Sequence, residues 1–448
     1  MKSLAPTWLM AWALGAVVVS IVIRWYRADY ELFTAIPGNG IRYPYLLMTK
    51  QHKQQQAHQK RNLTVVVTGA NSGVGFATIE HILRAPGMAK TVVMACRNMS
   101  NCQTAKDNLL NDLHSRDNII ISTTLLLPLQ LDLANTTSIQ SFVKRLHEKL
   151  LSLEHPQQHK QNEELASESG LADVPPIHLL INNAAVFAHS ATPQYVDGIE
   201  EHIMVNHLGH VLLTHLLWPN IRAGRGRIVT VSSILALFPL KPTLRWYRDE
   251  ATAEGDNRWL RIVLSFDLFG IVSYWDRIWK GISPYIRTKR ANLMFAYELH
   301  RRYHKCESST IIRDCNTTTM SAVSSIASHP GYSRTHIWHK SRKVLSSLLA
   351  TFLQYNPLGS MSPEQASLSQ VWAAFDPQQV PSGWYVGPQF WFCGKPILLG
   401  PLVGDENDSP HITMSNFHRW PFTEAESESL WNQSLKVLGI TEFGKLIV

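Results

Sequence analysis

Cysteine and charge are both scarce in this chain of 448 residues. Its 5 cysteines are odd in number and do not stand at the spacings of metal ligands, so they argue against a disulfide framework and a zinc site and for a reducing compartment. Charged residues make up only 17% of the chain and leave a net charge of +8. Because Lys and Arg are scattered and no nucleic-acid-binding motif occurs, an anionic membrane surface explains the basic balance better than nucleic acid does.

One long apolar run is present, at residues 4–23, and its length is close to the roughly 20 residues that a membrane helix requires. Tryptophans stand near both ends of the run, as in the aromatic belts of membrane interfaces. A cleavable signal peptide is the alternative, but the residues that follow the run offer no small-residue cleavage site. We therefore predict a single-pass anchor at 1–27 and a linker at 28–61. The arginines after the run favour a main domain in the cytoplasm.

A glycine-rich turn is the strongest local signal in the chain. Residues 63–75 read LTVVVTGANSGVG, which is a short apolar strand followed by Gly69, Gly73 and Gly75 and then by a helical run. Glycines let the backbone turn tightly and approach a ligand, and the first turn of a helix binds phosphate through its free N–H groups. The turn therefore predicts a dinucleotide site, although glycine-rich turns are also common where they only change the direction of the chain.

The end of the next strand indicates which dinucleotide would bind. A carboxylate at this point would bind the ribose 2′-hydroxyl of NAD, but the sequence there is Ala95-Cys96-Arg97. A guanidinium suits a 2′-phosphate, so Arg97 favours NADP(H). An ordinary surface arginine is the alternative.

The remaining apolar runs alternate between strand and helix patterns, and this alternation predicts an α/β fold with a doubly wound parallel sheet, a Rossmann fold. The predicted strands lie at residues 63–67, 91–95, 125–131, 177–181, 227–231, 323–328 and 384–386. The predicted helices lie at 76–83, 136–151, 198–217 and 285–303, with two more opened by capping boxes at Ser362 and Thr423. These elements place a catalytic domain at 62–390 and a C-terminal extension that packs on it at 391–448.

A segment rich in aromatic residues, 240–284, interrupts this alternation. It is too apolar for a free loop, and it could cover a bilayer surface, a lipophilic substrate or part of the core. The sequence leaves these three options open.

Three further residues are expected at the carboxyl edge of the sheet, where ligands bind in such folds. Ser233 follows the fifth strand, and Tyr285 and Lys289 stand four residues apart on one face of the next long helix. A Tyr–Lys pair alone would most simply be a surface pair. Together with the glycine turn and the serine at a strand end, it predicts an active site.

The order of these motifs resembles the short-chain dehydrogenase/reductase superfamily, and within it the membrane-anchored retinol dehydrogenase and protochlorophyllide reductase-like group. The segments that carry the resemblance span about residues 63–386 and read TGANSGVG, ACR, LDL, NNAA, VNHLGH, RIVTVSS, YIRTK and HPGYSRT. By this resemblance Tyr285 is the proton donor and acceptor, Ser233 polarises the substrate oxygen, and Lys289 holds the nicotinamide ribose. The Lys289 ammonium would also favour the phenolate of Tyr285. Asn206 would order a water that leads protons to Lys289.

The same resemblance assigns the contacts of an NADP(H) cofactor. The glycine turn would line the phosphates, Arg97 would meet the 2′-phosphate, Asp132 the adenine and Asn182 the adenosine ribose, while Thr335 would lie in the segment that holds the carboxamide. The expected cofactor-binding residues are Gly69, Asn71, Ser72, Gly73, Val74, Gly75, Arg97, Asp132, Asn182, Tyr285, Lys289 and Thr335. His207, His210 and His329 fit core or loop roles, and no metal site is expected.

Two features depart from the family pattern. Ala185 replaces a usual glycine, and Ser233 and Tyr285 are 285 − 233 = 52 residues apart, more than in typical members. The resemblance implies a membrane-bound, NADP(H)-dependent oxidoreductase of the endoplasmic reticulum that interconverts an alcohol and a carbonyl on a retinoid, steroid or fatty aldehyde. A reductase of C=C bonds and a non-enzymatic NADP-binding scaffold are the alternatives. The substrate stays open, as does the oligomeric state, for which a homodimer is one option.

Overall fold

The structure is a computed structural model that describes ten stretches of the chain. They are residues 62–85, 88–117, 124–154, 174–187, 194–237, 271–304, 323–333, 361–389, 393–402 and 422–445. The predicted anchor and linker, most of the aromatic insertion and Thr335 lie outside these stretches. Within them, no helix combines the length and the apolar character needed to cross a membrane.

The strands form one large sheet and a small hairpin. The large sheet contains β1 (Thr64–Thr68), β2 (Thr91–Cys96), β3 (Leu125–Gln130), β4 (Leu179–Asn182), β7 (Arg227–Val231), β8 (Ser324–Ser328), β9 (Trp384–Pro388) and β10 (Pro396–Pro401), and the hairpin contains β5 (Tyr195–Val196) and β6 (Ile199–Glu200). All seven strands predicted from the sequence are present, within about two residues at each end. The hairpin and β10 were not predicted.

The strand order is β10-β9-β8-β7-β4-β1-β2-β3. Every pair in this sheet is parallel except β9 with β10, which is antiparallel. The chain builds outward from β1 to β3 on one side and from β4 to β9 on the other, so β1 and β4 flank the switch point. In doubly wound sheets this is where a crevice opens for ligands.

The helices cover both faces of the sheet. They are α1 (Gly73–Leu83), α2 (Met99–Asp117), α3 (Thr136–Glu154), α4 (Glu201–Ile203), a π-helix (Met204–Leu208), α5 (Gly209–Leu216), α6 (Trp218–Ala223), a 3₁₀ turn (Ile234–Leu237), α7 (Ile271–Tyr303), α8 (Pro363–Phe375) and α9 (Glu424–Val437). One face carries α1, α2 and α8, and the other carries α3, α5 and α7. Along β1 the side chains of Val65 and Val67 enter the first core and Val66 enters the second, all without solvent exposure.

The helix that carries Tyr285 is longer than predicted. The sequence suggested a start at Tyr285, at the end of the aromatic segment 240–284, but α7 begins at Ile271 and passes through Pro284. Proline lacks an N–H group and usually ends or kinks a helix, which is why the sequence pattern placed a boundary there. The last 14 residues of that aromatic segment therefore belong to the helix that carries Tyr285.

The C-terminal helix α9 packs on α7. It opens with the predicted capping box at Thr423 and Glu426. Below it the fully buried carboxylate of Glu298 binds Arg301 at 2.8 Å and Arg302 at 2.7 Å, and it accepts a hydrogen bond of 2.7 Å from the Ser427 hydroxyl. This cluster holds the helix against the domain.

Cys96 and Cys102 form a disulfide between the end of β2 and α2, with their Cα atoms 5.9 Å apart. The small, odd number of cysteines predicts no disulfide framework and a reducing compartment, so this bridge corrects the expectation that disulfides are absent. The reason is local, because the turn from β2 into α2 brings two residues only six positions apart into the usual Cα range of a disulfide.

Candidate active site

The glycine turn lies at the carboxyl end of β1, at the switch point. Gly69 and Gly73 adopt positive φ angles of 66° and 58°, which side chains other than glycine rarely adopt. Gly75 is needed for space: a Cβ there would lie 2.4 Å from the Gly69 carbonyl oxygen and 2.5 Å from Nδ2 of Asn183. The turn therefore brings bare backbone to the crevice, as a bound pyrophosphate requires.

The first residues of α1 follow directly. Ser72 is the N-cap, has extended backbone and is exposed, and Asn71 and Val74 on either side are partly exposed. The unpaired N–H groups of this first turn face the switch point and form an anion-binding surface. The predicted phosphate contacts are thus all brought together at one helix N-terminus.

The end of β4 meets the glycine turn. Asn183 Nδ2 donates to the carbonyl oxygen of Thr68 at 2.8 Å, and its backbone N–H donates to the Thr68 hydroxyl at 2.9 Å. Asn182 is buried, and its Nδ2 donates to Thr214 at 3.2 Å, whereas its Oδ1 has no hydrogen-bond partner among the described residues. The Asn182 side chain thus packs towards α5, so a contact with a ribose would involve its main chain or that Oδ1.

The two residues predicted for the adenosine end of the cofactor stand at the ends of the next strands. Arg97 follows β2 and its side chain is exposed. Asp132 follows β3, is partly exposed, and its Oδ1 accepts a hydrogen bond of 3.0 Å from the backbone of Ala134. Both lie at the carboxyl edge of the sheet on the β2–β3 side of the switch point.

Asn206 lies within the π-helix and is fully buried. Its Oδ1 accepts from the backbone N–H of Val186 at 2.7 Å, and its Nδ2 donates to the Val186 carbonyl at 3.0 Å and to the Thr288 hydroxyl at 3.1 Å. The side chain therefore ties the loop after β4 to the catalytic helix beside Lys289. Irregular helix turns of this kind occur often at functional sites.

The three predicted catalytic side chains meet above the ends of β4 and β7. Ser233 lies close enough to Tyr285 for its side chain to lower the pKa of the phenol in part. Lys289 Nζ lies 5.6 Å from the centre of the Tyr285 ring and donates to the carbonyl oxygen of Val231 at 2.9 Å. Phe187 packs edge-on against Tyr285 with ring centres 4.7 Å apart. The helical spacing of Tyr285 and Lys289 and the serine at the strand end thus produce one compact site.

Burial sets the pKa values in this site. It raises the pKa of Tyr285 from 10.0 to about 12, although the Ser233 side chain lowers it in part. It lowers the pKa of Lys289 from 10.5 to about 7. From the sequence, the Lys289 ammonium and the positive nicotinamide of an oxidised cofactor are together expected to favour a phenolate at Tyr285. In this structure the pKa of Tyr285 is raised, because burial is the largest influence on the phenol.

Sequence reasoning missed Tyr385, which lies on β9 and is fully buried. Its hydroxyl donates to the main-chain carbonyl of Ser233 at 3.2 Å, and its ring packs against His329 with centres 5.1 Å apart. It therefore fixes the main chain of Ser233. Nothing in the local sequence distinguished this tyrosine from an ordinary core residue, since it lies 152 positions from Ser233.

Comparisons with known proteins show similarity to short-chain dehydrogenases. A family model described as short chain dehydrogenase matches residues 157–244. Retinol dehydrogenase 12 of Bos taurus is 27% identical over 380 residues, which cover 84% of this chain and 86% of the relative. Retinol dehydrogenase 14 of Mus musculus is 30% identical over 242 residues, which cover 53% of this chain and 56% of that protein. The chain thus spans most of the first relative and little more than half of the second.

Among solved structures, the NADPH-bound carbonyl reductase from chicken fatty liver is 15% identical, with a TM-score of 0.41. The superposition covers 75% of this chain and 98% of that chain.

Proposed function

The chain belongs to the short-chain dehydrogenase/reductase superfamily, where it is similar to the retinol dehydrogenase-like group, and we propose that it is an NADP(H)-dependent oxidoreductase. It interconverts an alcohol and a carbonyl on a lipophilic substrate such as a retinoid, a steroid or a fatty aldehyde. The observation that carries this proposal is the convergence of Ser233, Tyr285 and Lys289 above the ends of β4 and β7, next to the switch point of the sheet.

The residues present fit a dinucleotide. Gly69 and Gly75 let the turn pack against the loop after β4, where a Cβ at either position would clash, and the turn then presents bare backbone to the crevice. The buried Asn182 Oδ1 has no hydrogen-bond partner among the described residues. When bound, the nicotinamide ring supplies or accepts the hydride. The exposed Arg97 guanidinium, with no acid at the end of β2, favours the 2′-phosphate of NADP(H) over NAD. Thr335 remains a predicted contact outside the described residues.

The side chains of the site divide the proton chemistry among them. In carbonyl reduction the Ser233 hydroxyl hydrogen-bonds the substrate oxygen, and Tyr285 donates its phenolic proton to that oxygen. Because burial raises the pKa of Tyr285 to about 12, the phenol is present as the acid at neutral pH. Lys289, with its pKa lowered to about 7, can return a proton to Tyr285 at near-neutral pH. In alcohol oxidation the same groups act in reverse.

We propose further that residues 4–23 anchor the protein in the endoplasmic reticulum membrane with the catalytic domain facing the cytoplasm. The relatives named retinol dehydrogenase and the apolar run support this placement. If the aromatic insertion also touches lipid, residues 28–448 expressed alone should stay partly membrane-bound in a salt-sensitive way. A truncated protein that is folded, active and entirely soluble at low salt would contradict this second membrane contact.

The test of the catalytic function is a substrate panel on the detergent-solubilised full chain. Retinal, a ketosteroid, a fatty aldehyde and a conjugated C=C substrate without a carbonyl are each supplied with NADPH or NADH, and the nicotinamide absorbance is followed. We expect oxidation of NADPH with one of the carbonyl compounds. Turnover of the C=C substrate alone would favour the reductase alternative. NADPH binding without turnover of any compound would favour a cofactor-binding scaffold.

A further inference from the structure

His210 is a buried histidine that the chemistry described above does not use. It lies in α5, is 1% exposed, and makes two hydrogen bonds in opposite directions. Its Nε2 lies 2.9 Å from the hydroxyl of Thr68, the last residue of β1, and its Nδ1 lies 3.2 Å from the main-chain carbonyl oxygen of Asn206. The ring therefore bridges the strand that leads into the glycine turn and the π-helix that carries Asn206.

The Asn206 contact fixes which nitrogen of His210 carries a proton. A carbonyl oxygen can only accept a hydrogen bond, so Nδ1 must be the donor. Burial lowers the pKa of His210 to about 3, with Lys289 and His207 adding small effects in the same direction, so the ring is neutral at physiological pH. A neutral imidazole carries one proton, so Nε2 is an acceptor.

The Thr68 contact indicates independently that His210 Nε2 is an acceptor. Its hydroxyl oxygen accepts hydrogen bonds of 2.9 Å from the backbone N–H groups of both Asn183 and Ala184, which fill its two lone pairs. The hydroxyl can then only donate, and His210 Nε2 at 2.9 Å is a closer acceptor than the Ile181 carbonyl at 3.4 Å. The hydrogen bonds thus run in one direction, from the loop after β4 through Thr68 and His210 to Asn206.

These bonds close a ring around the site. Asn206 is bonded through its side chain to Val186, which belongs to the same loop after β4 as Asn183 and Ala184, and to Thr288, the neighbour of Lys289. Within this closed set of hydrogen bonds, the His210 side chain joins β1 to the main chain of Asn206. Loss of the bond between His210 and Asn206 leaves the buried Asn206 carbonyl with one hydrogen-bond donor fewer and removes this link between the π-helix and β1.

We propose that His210, as the neutral Nδ1–H tautomer, is a positioning residue that holds the main chain of Asn206 in register with the end of β1. The proposal rests on the proposed oxidoreductase function, because Asn206 and Thr288 act next to Lys289 in that chemistry. His210 touches neither substrate nor the reacting atoms, and it acts through Asn206.

Two conservative variants separate the two bonds. In His210→Asn the amide N–H stands where Nδ1 was and can still donate to Asn206, whereas in His210→Gln the amide oxygen stands where Nε2 was and can still accept from Thr68. We expect kcat to fall about tenfold in His210→Gln, the equivalent of about 1.4 kcal/mol for one buried hydrogen bond. In His210→Asn we expect kcat to stay within about threefold of that of the unchanged protein, which is a smaller change than the loss of one such hydrogen bond would cause. The Kd for NADPH, measured by nucleotide fluorescence, should change by less than about twofold in His210→Gln, since the bonds of Thr68 to the loop remain.

A purely structural role would lower the melting temperature of both variants alike and leave the kcat of the folded protein unchanged. Equal values of kcat in the two variants would therefore overturn the proposal. If the unchanged protein turns over no substrate, the oxidoreductase proposal fails. The proposed role of His210 is then tested by its tautomer alone. In nitrogen-15 NMR of histidine-labelled protein, the signals missing from His210→Gln should show a protonated Nδ1 and an unprotonated Nε2 at neutral pH. A protonated Nε2 would overturn the proposal independently of any activity.

Discussion

The buried Lys289 should make the stability of the protein depend on pH in a way that one substitution removes. Its side chain is 2% exposed, and burial lowers its pKa from 10.5 to about 7. Between these two values the unfolded chain binds a proton that the folded chain does not, so the free energy of unfolding rises with pH across this window. Each pH unit contributes at most about 1.4 kcal/mol, and because the folded lysine is still about half protonated at pH 7, the gain from about pH 7 to about pH 9.5 is about 3 kcal/mol.

The assay is urea unfolding of the unchanged protein and of Lys289→Met at several pH values in this window, in the same detergent. Other groups titrate alike in both proteins, so their difference isolates Lys289. We expect the unfolding free energy of the unchanged protein to rise relative to that of Lys289→Met. Lys445, whose side chain is 72% exposed, supplies the control, since Lys445→Met should keep the slope of the unchanged protein. Parallel curves for Lys289→Met and the unchanged protein would refute the reasoning.

Two further predictions concern the cofactor site and the C-terminal helix. Arg97→Ala should weaken NADPH binding by about 1.5–3 kcal/mol, the value of a charge-assisted contact, with little effect on NADH. Fluorescence titration measures both constants, and equal losses for the two cofactors would show that Arg97 does not read the 2′-phosphate. Glu298→Ala should lower the unfolding free energy by about 3 kcal/mol, because it removes the two ion pairs and the Ser427 hydrogen bond that this fully buried carboxylate makes. The exposed Glu442→Ala should cost less than about 1 kcal/mol in the same urea assay, and similar losses in the two variants would contradict the role given to Glu298.

The sheet could be predicted from the sequence because its strands are buried on both faces. Such strands appear as continuous apolar runs, and β7 was predicted with the bounds that the structure gives, Arg227–Val231. The edge strand β10 was missed because its run, PILLGP, begins and ends with proline and contains a glycine, and both residue types weaken the pattern of a strand. The start of α7 was missed because Pro284 is a strong local breaker signal, and tertiary packing overrides it.

The candidate site was predictable where its residues stand at fixed positions along single elements. Tyr285 and Lys289 are one helical turn apart and the glycines mark a turn, so these motifs taken together with Ser233 at a strand end indicate one site at the edge of the sheet. The contacts of His210 with Thr68 and of Tyr385 with Ser233 join elements 142 and 152 residues apart, and no local pattern encodes them. The pKa values were also beyond the sequence, since they depend on how deeply the site is buried rather than on which charges are present.

Turnover and NADPH binding by Tyr285→Phe test the central claim most directly. The phenylalanine ring keeps the packing against Phe187 and removes only the hydroxyl that donates the proton. Tyr297→Phe is the matched control on the same helix, because its hydroxyl meets Glu424 at 3.3 Å, away from the site. We expect Tyr285→Phe to lose turnover with any carbonyl substrate and to bind NADPH nearly as tightly as the unchanged protein, while Tyr297→Phe keeps both. Retention of more than a few per cent of turnover by Tyr285→Phe would contradict the assignment of this tyrosine as the acid and base of the reaction.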